Sequence, residues 1–167
     1  MTPAELLIDA YERVREGALA AIDGLSEDEL AHRITPDANP IGWLVWHAYR
    51  VQDDHLADAA GLQQVWAARG FIEHFDLDLD EDDTGFGHTS AQVARVRAPA
   101  ELLERYVEAT HEQTLAWVGG LKESDLDRIV DTSWDPPVTL GVRLVSVVDD
   151  GAQHIGQAKY LRGLLTA

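Results

Sequence analysis

Residues 39–61 read NPIGWLVWHAYRVQDDHLADAAG. Ile41, Leu44, Val45, Ala48, Val51 and Leu56 recur in steps that keep them on one side of a helix of 3.6-residue period. Asn39 offers a cap, Pro40 suits a first helical turn and Gly61 offers a stop, so the stretch predicts a helix from Asn39-Pro40 to about Ala60. Three other segments share the period. Leu6, Leu7, Ala10, Val14, Ala18, Leu19 and Ile22 mark a helix from Thr2 to about Asp23, ended by Gly24. Leu102, Leu103, Tyr106, Val107, Thr110, Thr114 and Trp117 mark one from about Ala98-Pro99 to Val118, stopped by Gly119-Gly120. Leu144, Val147, Val148, Gly151, Ile155, Ala158, Leu161 and Leu165 mark the last, from about Leu140 to Leu165. Four long helical segments without convincing strand pairs imply an all-α four-helix bundle with a long crossover between the second and third.

The connectors carry their own signals. Ser26 and Glu29 stand at capping-box spacing, and two prolines between Ile34 and Pro40 forbid a continuous helix. From Leu62 to Gly87 the apolar pattern weakens, and Asp76, Asp78, Asp80, Glu81, Asp82 and Asp83 form an acidic run that reads as a long solvated loop. The run lacks the central glycine and closing glutamate of a calcium loop. Trp134-Asp135-Pro136-Pro137 reads as loop or short extended chain, with Trp134 suited to line a pocket mouth. Gly24-Leu25-Ser26-Glu27-Asp28-Glu29-Leu30 and Gly120-Leu121-Lys122-Glu123-Ser124-Asp125-Leu126 match in glycine and leucines, each following one long helix and preceding another. Two helical pairs related by a pseudo-twofold axis would produce this, as would one capping solution used twice.

Composition narrows function. At 167 residues and 46% hydrophobic content the chain reads as a single domain, residues 1–167, able to fill one core. A formal net charge of -17 repels phosphate backbones and anionic lipid, so neither nucleic acid nor membrane is expected as a partner. With no cysteine, disulfides, Cys-ligated zinc and a thiol nucleophile of the chain's own are excluded. No apolar run is long enough to span a bilayer and the start does not resemble a signal peptide, so a cytoplasmic location is expected. Arginine outnumbers lysine 11 to 2, the bias of a GC-rich bacterial genome.

Among seven histidines two stand out. His47 lies in the apolar, aromatic half of the second helix. Asp150 and His154 are four apart on the last helix, on one face near Val147, Gly151, Ala158 and Leu161. A carboxylate facing inward must be paired or metal-bound. Asp150, His154 and His47 would give a metal two imidazoles and one carboxylate with open positions, a set that suits zinc, nickel, manganese or iron. A metal-free pairing of Asp150 with His154 or Arg143 explains the same spacing, and spacing alone favours it. Asp54 and His55 would at most enlarge the site. No HExxH, Walker, Rossmann or GxSxG pattern occurs.

Asn39-Pro40-Ile41-Gly42-Trp43-Leu44-Val45-Trp46-His47, followed by Asp150-Gly151-Ala152-Gln153-His154-Ile155-Gly156-Gln157 and Tyr160-Leu161-Arg162-Gly163, resembles the DinB / YfiT-like superfamily over essentially the whole chain. The closer likeness is to its actinobacterial branch related to mycothiol-dependent enzymes. The resemblance implies a four-helix bundle, commonly a homodimer, with a divalent metal, zinc or nickel foremost, on three side chains. His47 and His154 match two ligand positions. Asp150 falls where many relatives have histidine and some glutamate, which keeps ligand chemistry on a shorter side chain. The implied activity is transfer or isomerisation with a low-molecular-weight thiol such as mycothiol as co-substrate, the metal lowering the thiol pKa for attack on a small-molecule electrophile. Tyr49, Arg50 and Asp54 are the candidates for proton transfer. A metal hydrolase on the same three residues and a metal-free bundle binding a small molecule are the competing expectations.

Overall fold

In the computed structural model, which describes residues 1–166, the chain runs through α1 (Pro3–Ile22), α2 (Glu27–Leu30), α3 (Ile41–Ala60), α4 (Val65–Ala68), α5 (Phe71–Phe75), α6 (Ser90–Val93) and α7 (Ala100–Val118). A 3-10 turn (Glu123–Asp125), strands β1 (Ile129–Asp131) and β2 (Val138–Thr139) and helix α8 (Leu140–Leu165) follow. The protein is mostly helical, and its long helices match the four periodic segments. None is long and apolar enough to cross a membrane.

Capping explains the boundaries. Thr2 and Glu5 close a reciprocal box on α1, and Ser26 and Glu29 close one on α2. Asn39 does not cap α3: Pro40 holds that position without a side-chain hydrogen bond. Gly61 ends α3 at φ 67°, a left-handed conformation that glycine adopts without steric cost. α1 and α3 each pack against both α7 and α8. From Ile41 to Arg50 every residue of α3 is buried, so this helix is central rather than one-sided.

The repeat signal has a structural counterpart. Gly42, the second residue of α3, lies under Leu30, and a Cβ there would stand 3.2 Å from the Leu30 carbonyl. Gly141, the second residue of α8, lies under Leu126 in the same way, at 3.4 Å from its carbonyl. Each half is therefore a long helix, a capped turn and a second helix whose start is pressed against the turn's last leucine.

Two expectations need correction. The segment from Leu62 to Gly87 is not a solvated loop throughout: α4 and α5 lie within it, and Val65, Trp66, Phe71 and Phe75 are core residues. The connector before α8 is not strandless, because β1 and β2 form an antiparallel ribbon pairing Ile129 with Thr139 and Asp131 with Val138. This ribbon carries the loop that presents Trp134.

A buried polar network ties the 62–88 region to the long helices. Asp53 accepts the backbone N–H groups of Val65 and Trp66, both at 2.8 Å, and the Tyr106 hydroxyl at 3.0 Å. Its carboxylate lies 3.7 Å from the Arg50 guanidinium, and both side chains are completely buried. Arg50 also donates to Gln64 Oε1 and to the Asp83 carbonyl, and its guanidinium sits over the Trp66 ring at 4.9 Å. Burial pushes the Asp53 pKa up, and the hydrogen bonds from Trp66, Val65 and Tyr106 together with the Arg50 charge oppose that rise. Replacing Asp53 by alanine leaves a buried guanidinium without its counter-charge and two N–H groups at the start of α4 without their acceptor. Asp53→Ala is expected to lose about 3–5 kcal/mol of stability in urea titration; a loss comparable to a surface substitution would show that the pair carries little.

Candidate metal centre and its cleft

α3 and α8 bring His47, Asp150 and His154 together: one ligand-type atom from each lies within 4.8 Å of the other two. His154 Nε2 stands 3.4 Å from Asp150 Oδ1, and the imidazoles of His47 and His154 meet edge to face at 4.7 Å between centroids. His47 is buried, while Asp150 and His154 are half-buried at the edge of the core rather than within it.

The hydrogen bonds define which atoms are free. His47 Nδ1 lies 2.5 Å from the Thr84 carbonyl, which only accepts, so Nδ1 carries the proton and Nε2 presents its lone pair. Burial lowers the His47 pKa, against the pull of the Thr84 bond, so the ring is held neutral. The neighbouring Asp150 carboxylate raises that of His154, chiefly by hydrogen bonding. Asp150 Oδ2 is buried and has no hydrogen-bond partner. An unpartnered buried carboxylate oxygen is costly, and a divalent cation between it and two imidazole nitrogens would remove that cost. The donor set therefore fits a divalent metal. The metal-free alternative fits less well: the Asp150–His154 pair is present but leaves Oδ2 unsatisfied. Arg143 is committed elsewhere, donating to Asp131 Oδ2 at 2.7 Å and to His55 Nδ1 at 3.1 Å.

Residues 83–88, all but the last of them read in the sequence as the end of a solvated loop, instead form a strap packed over His47. The Asp83 carboxylate accepts from Gly85 N–H at 2.7 Å and from His88 Nε2 at 2.9 Å. With Nε2 carrying the proton, His88 Nδ1 accepts the indole N–H of Trp43 at 3.1 Å. Trp43 in turn stacks on the His47 ring at 4.5 Å with planes 16° apart. Gly85 sits at φ 89°, and a Cβ there would stand 2.9 Å from both His47 Nδ1 and the Trp46 ring. Only glycine lets the strap approach this closely. His88 and Asp83 thus orient His47 through Trp43 and the strap backbone, a role of the kind second-layer groups play around metal ligands. The one local hint was the pair of glycines around Phe86; the contacts themselves are tertiary.

A cleft of about 580 Å³ opens beside His47 and Asp150. Asp54, His55 and Arg143 wall it, and Phe86 and Trp134 line it while remaining largely exposed, the latter as its Pro-rich loop suggested. Of the proton-transfer candidates only Asp54 borders this space. Tyr49 and Arg50 are buried on other faces of α3, Arg50 in the network with Asp53, and neither lines the cleft.

The chain is similar over nearly its whole length to a known family and to solved structures. Residues 6–167 match the model of a family described as mycothiol-S-transferase. A conserved protein from Enterococcus faecalis has a similar crystal structure, with TM-score 0.90 and 31% identity over 97% of this chain and 96% of that one. A DinB-like protein from Bacillus cereus shares the fold at TM-score 0.58 and 15% identity, covering 97% of this chain and 92% of that one. No curated protein matches.

Gly85→Ala is expected to push the strap off His47. In imidazole-selective ¹⁵N NMR the wild type should show a protonated His47 Nδ1 with slow solvent exchange, and the variant should lose that signal. Its persistence in the variant would mean that the Thr84 bond does not depend on the close approach.

Proposed function

The chain belongs to the mycothiol S-transferase family, and we propose that it joins a low-molecular-weight thiol, mycothiol in its native setting, to a small electrophile at a divalent metal held by His47, Asp150 and His154. The observation that carries the reading is the buried, unpartnered Asp150 Oδ2 in one cluster with two imidazoles. Zinc and nickel suit two nitrogens and one carboxylate oxygen. Bound there, the cation would supply the positive charge that lowers a thiol pKa into the neutral range.

The remaining work belongs to the chain's own side chains. His47 offers Nε2 because the Thr84 carbonyl engages the Nδ1 proton, so no tautomer change is needed on binding. Trp43 fixes the plane of that ring and excludes water from one of its faces. Asp150 supplies a negative charge that partly offsets the cation's. The cleft beside His47 and Asp150 gives both reactants room. The missing cysteine takes on meaning here: the sulfur arrives with the co-substrate.

Protein purified without a histidine tag should contain about one equivalent of zinc or nickel by elemental analysis. His47→Ala, Asp150→Ala and His154→Ala should each lose it while remaining folded by circular dichroism. Chelation should abolish thioether formation from mycothiol and an electrophile, and readdition of metal should restore it. Wild-type protein without stoichiometric metal would sink the reading. Consumption of an ester or amide at the same rate with and without thiol would replace it by a hydrolase.

A further inference from the structure

Phe86 is 91% exposed and Trp134 is 67% exposed, yet both line the cleft that reaches His47 and Asp150. They come from unrelated segments. Phe86 stands between Gly85 and Gly87, both left-handed at φ 89° and 73°, in the strap that holds His47. Trp134 stands on the loop between β1 and β2, anchored where Arg143 binds Asp131. Large apolar rings left in water beside a small-molecule cavity are ready to gain burial energy from a ligand, and their flat faces suit a planar one.

Charge supplies the second constraint. The walls carry Asp54, Asp58, Asp131 and Asp150, and the one arginine among the lining residues, Arg143, is already paired with Asp131; none of them is a lysine. With the whole chain at -17 and the proposed cation confined to the inner end beside Asp150, no unpaired guanidinium or ammonium group on the walls compensates an anion further out.

We propose that Phe86 and Trp134 are the specificity-determining residues of an acceptor subsite for an uncharged, planar aromatic electrophile, and that Asp54 and Asp58 turn away anionic ones. The role as acceptor subsite rests on the thiol-transfer reading. For an aryl halide the sulfur–carbon bond forms as the carbon–halogen bond breaks, halide leaves with the bonding pair, and the thiol proton passes to solvent.

Two measurements separate this inference from the transfer reading. In equilibrium dialysis the wild type should bind meta-dinitrobenzene, an unreactive probe. Phe86→Ala and Trp134→Ala should each weaken that binding by about tenfold, as loss of one ring's buried area predicts. Dinitrobenzoate, its anionic analogue, should bind at least about tenfold more weakly than the neutral probe and regain affinity in the Asp54→Asn/Asp58→Asn variant. In turnover with mycothiol and chlorodinitrobenzene, the same two aromatic variants should raise KM for the acceptor while leaving KM for the thiol and metal content unchanged. Unaltered probe binding in both variants, or equal binding of the anion and the neutral probe, overturns the subsite even if thioether forms. Ring-dependent probe binding without any thioether formation overturns the transfer reading and leaves an aromatic-binding cleft.

Discussion

The buried ion pair between Arg50 and Asp53 is the contact on which the functional side of the molecule depends. Two charges removed from water are retained only when hydrogen bonds satisfy what the pair itself does not. Here those partners lie on other elements: the first residues of α4, the Tyr106 hydroxyl on α7 and the Asp83 carbonyl at the head of the strap. Satisfying the pair therefore draws the crossover segment onto α3. The strap then begins at a fixed point, and Thr84, the next residue, meets His47. A polar requirement in the core is converted into the orientation of a ring at the surface cleft.

That route accounts for what the sequence showed and what it hid. The four long helices were legible because each keeps a 3.6-residue apolar pattern for five turns or more, enough for periodicity to outweigh noise. α4 and α5 were hidden because Val65, Trp66, Phe71 and Phe75 sit on helices of four and five residues, too short to show a period, next to a run of acids that dominates the composition. The ribbon of three and two residues is shorter than any alternation can reveal. His47, Asp150 and His154 could be singled out because spacing along one helix constrains two of them and the aromatic setting marks the third. His88 and Asp83 carried no such mark, since their importance arises only when the strap is folded back on Trp43.

The candidate centre consequently has three sources of rigidity with different physical origins. α8 places Asp150 and His154 by helical geometry alone. α3 places His47 by burial on every side. The strap adds hydrogen bonding and a close backbone approach that a single methyl group at Gly85 would obstruct. Beyond this rigid end the cleft widens toward exposed rings and carboxylates on loops, so precise placement and adaptable recognition occupy opposite ends of one space.

The matching of Gly42 under Leu30 with Gly141 under Leu126 has a consequence for how the chain acquires its structure. Each half is a helix–turn–helix unit, yet α1 packs far more extensively on α7 and α8 than on α3, its partner within the same half. Neither unit can bury its apolar stripe internally, so each supplies the surface the other lacks. Folding is therefore a joint event of both halves, joined by interhelical contacts distant in sequence. A ribosome-bound chain that ends before α7 holds the whole of α3, with its three tryptophan- and histidine-bearing turns, but not the helices meant to cover it.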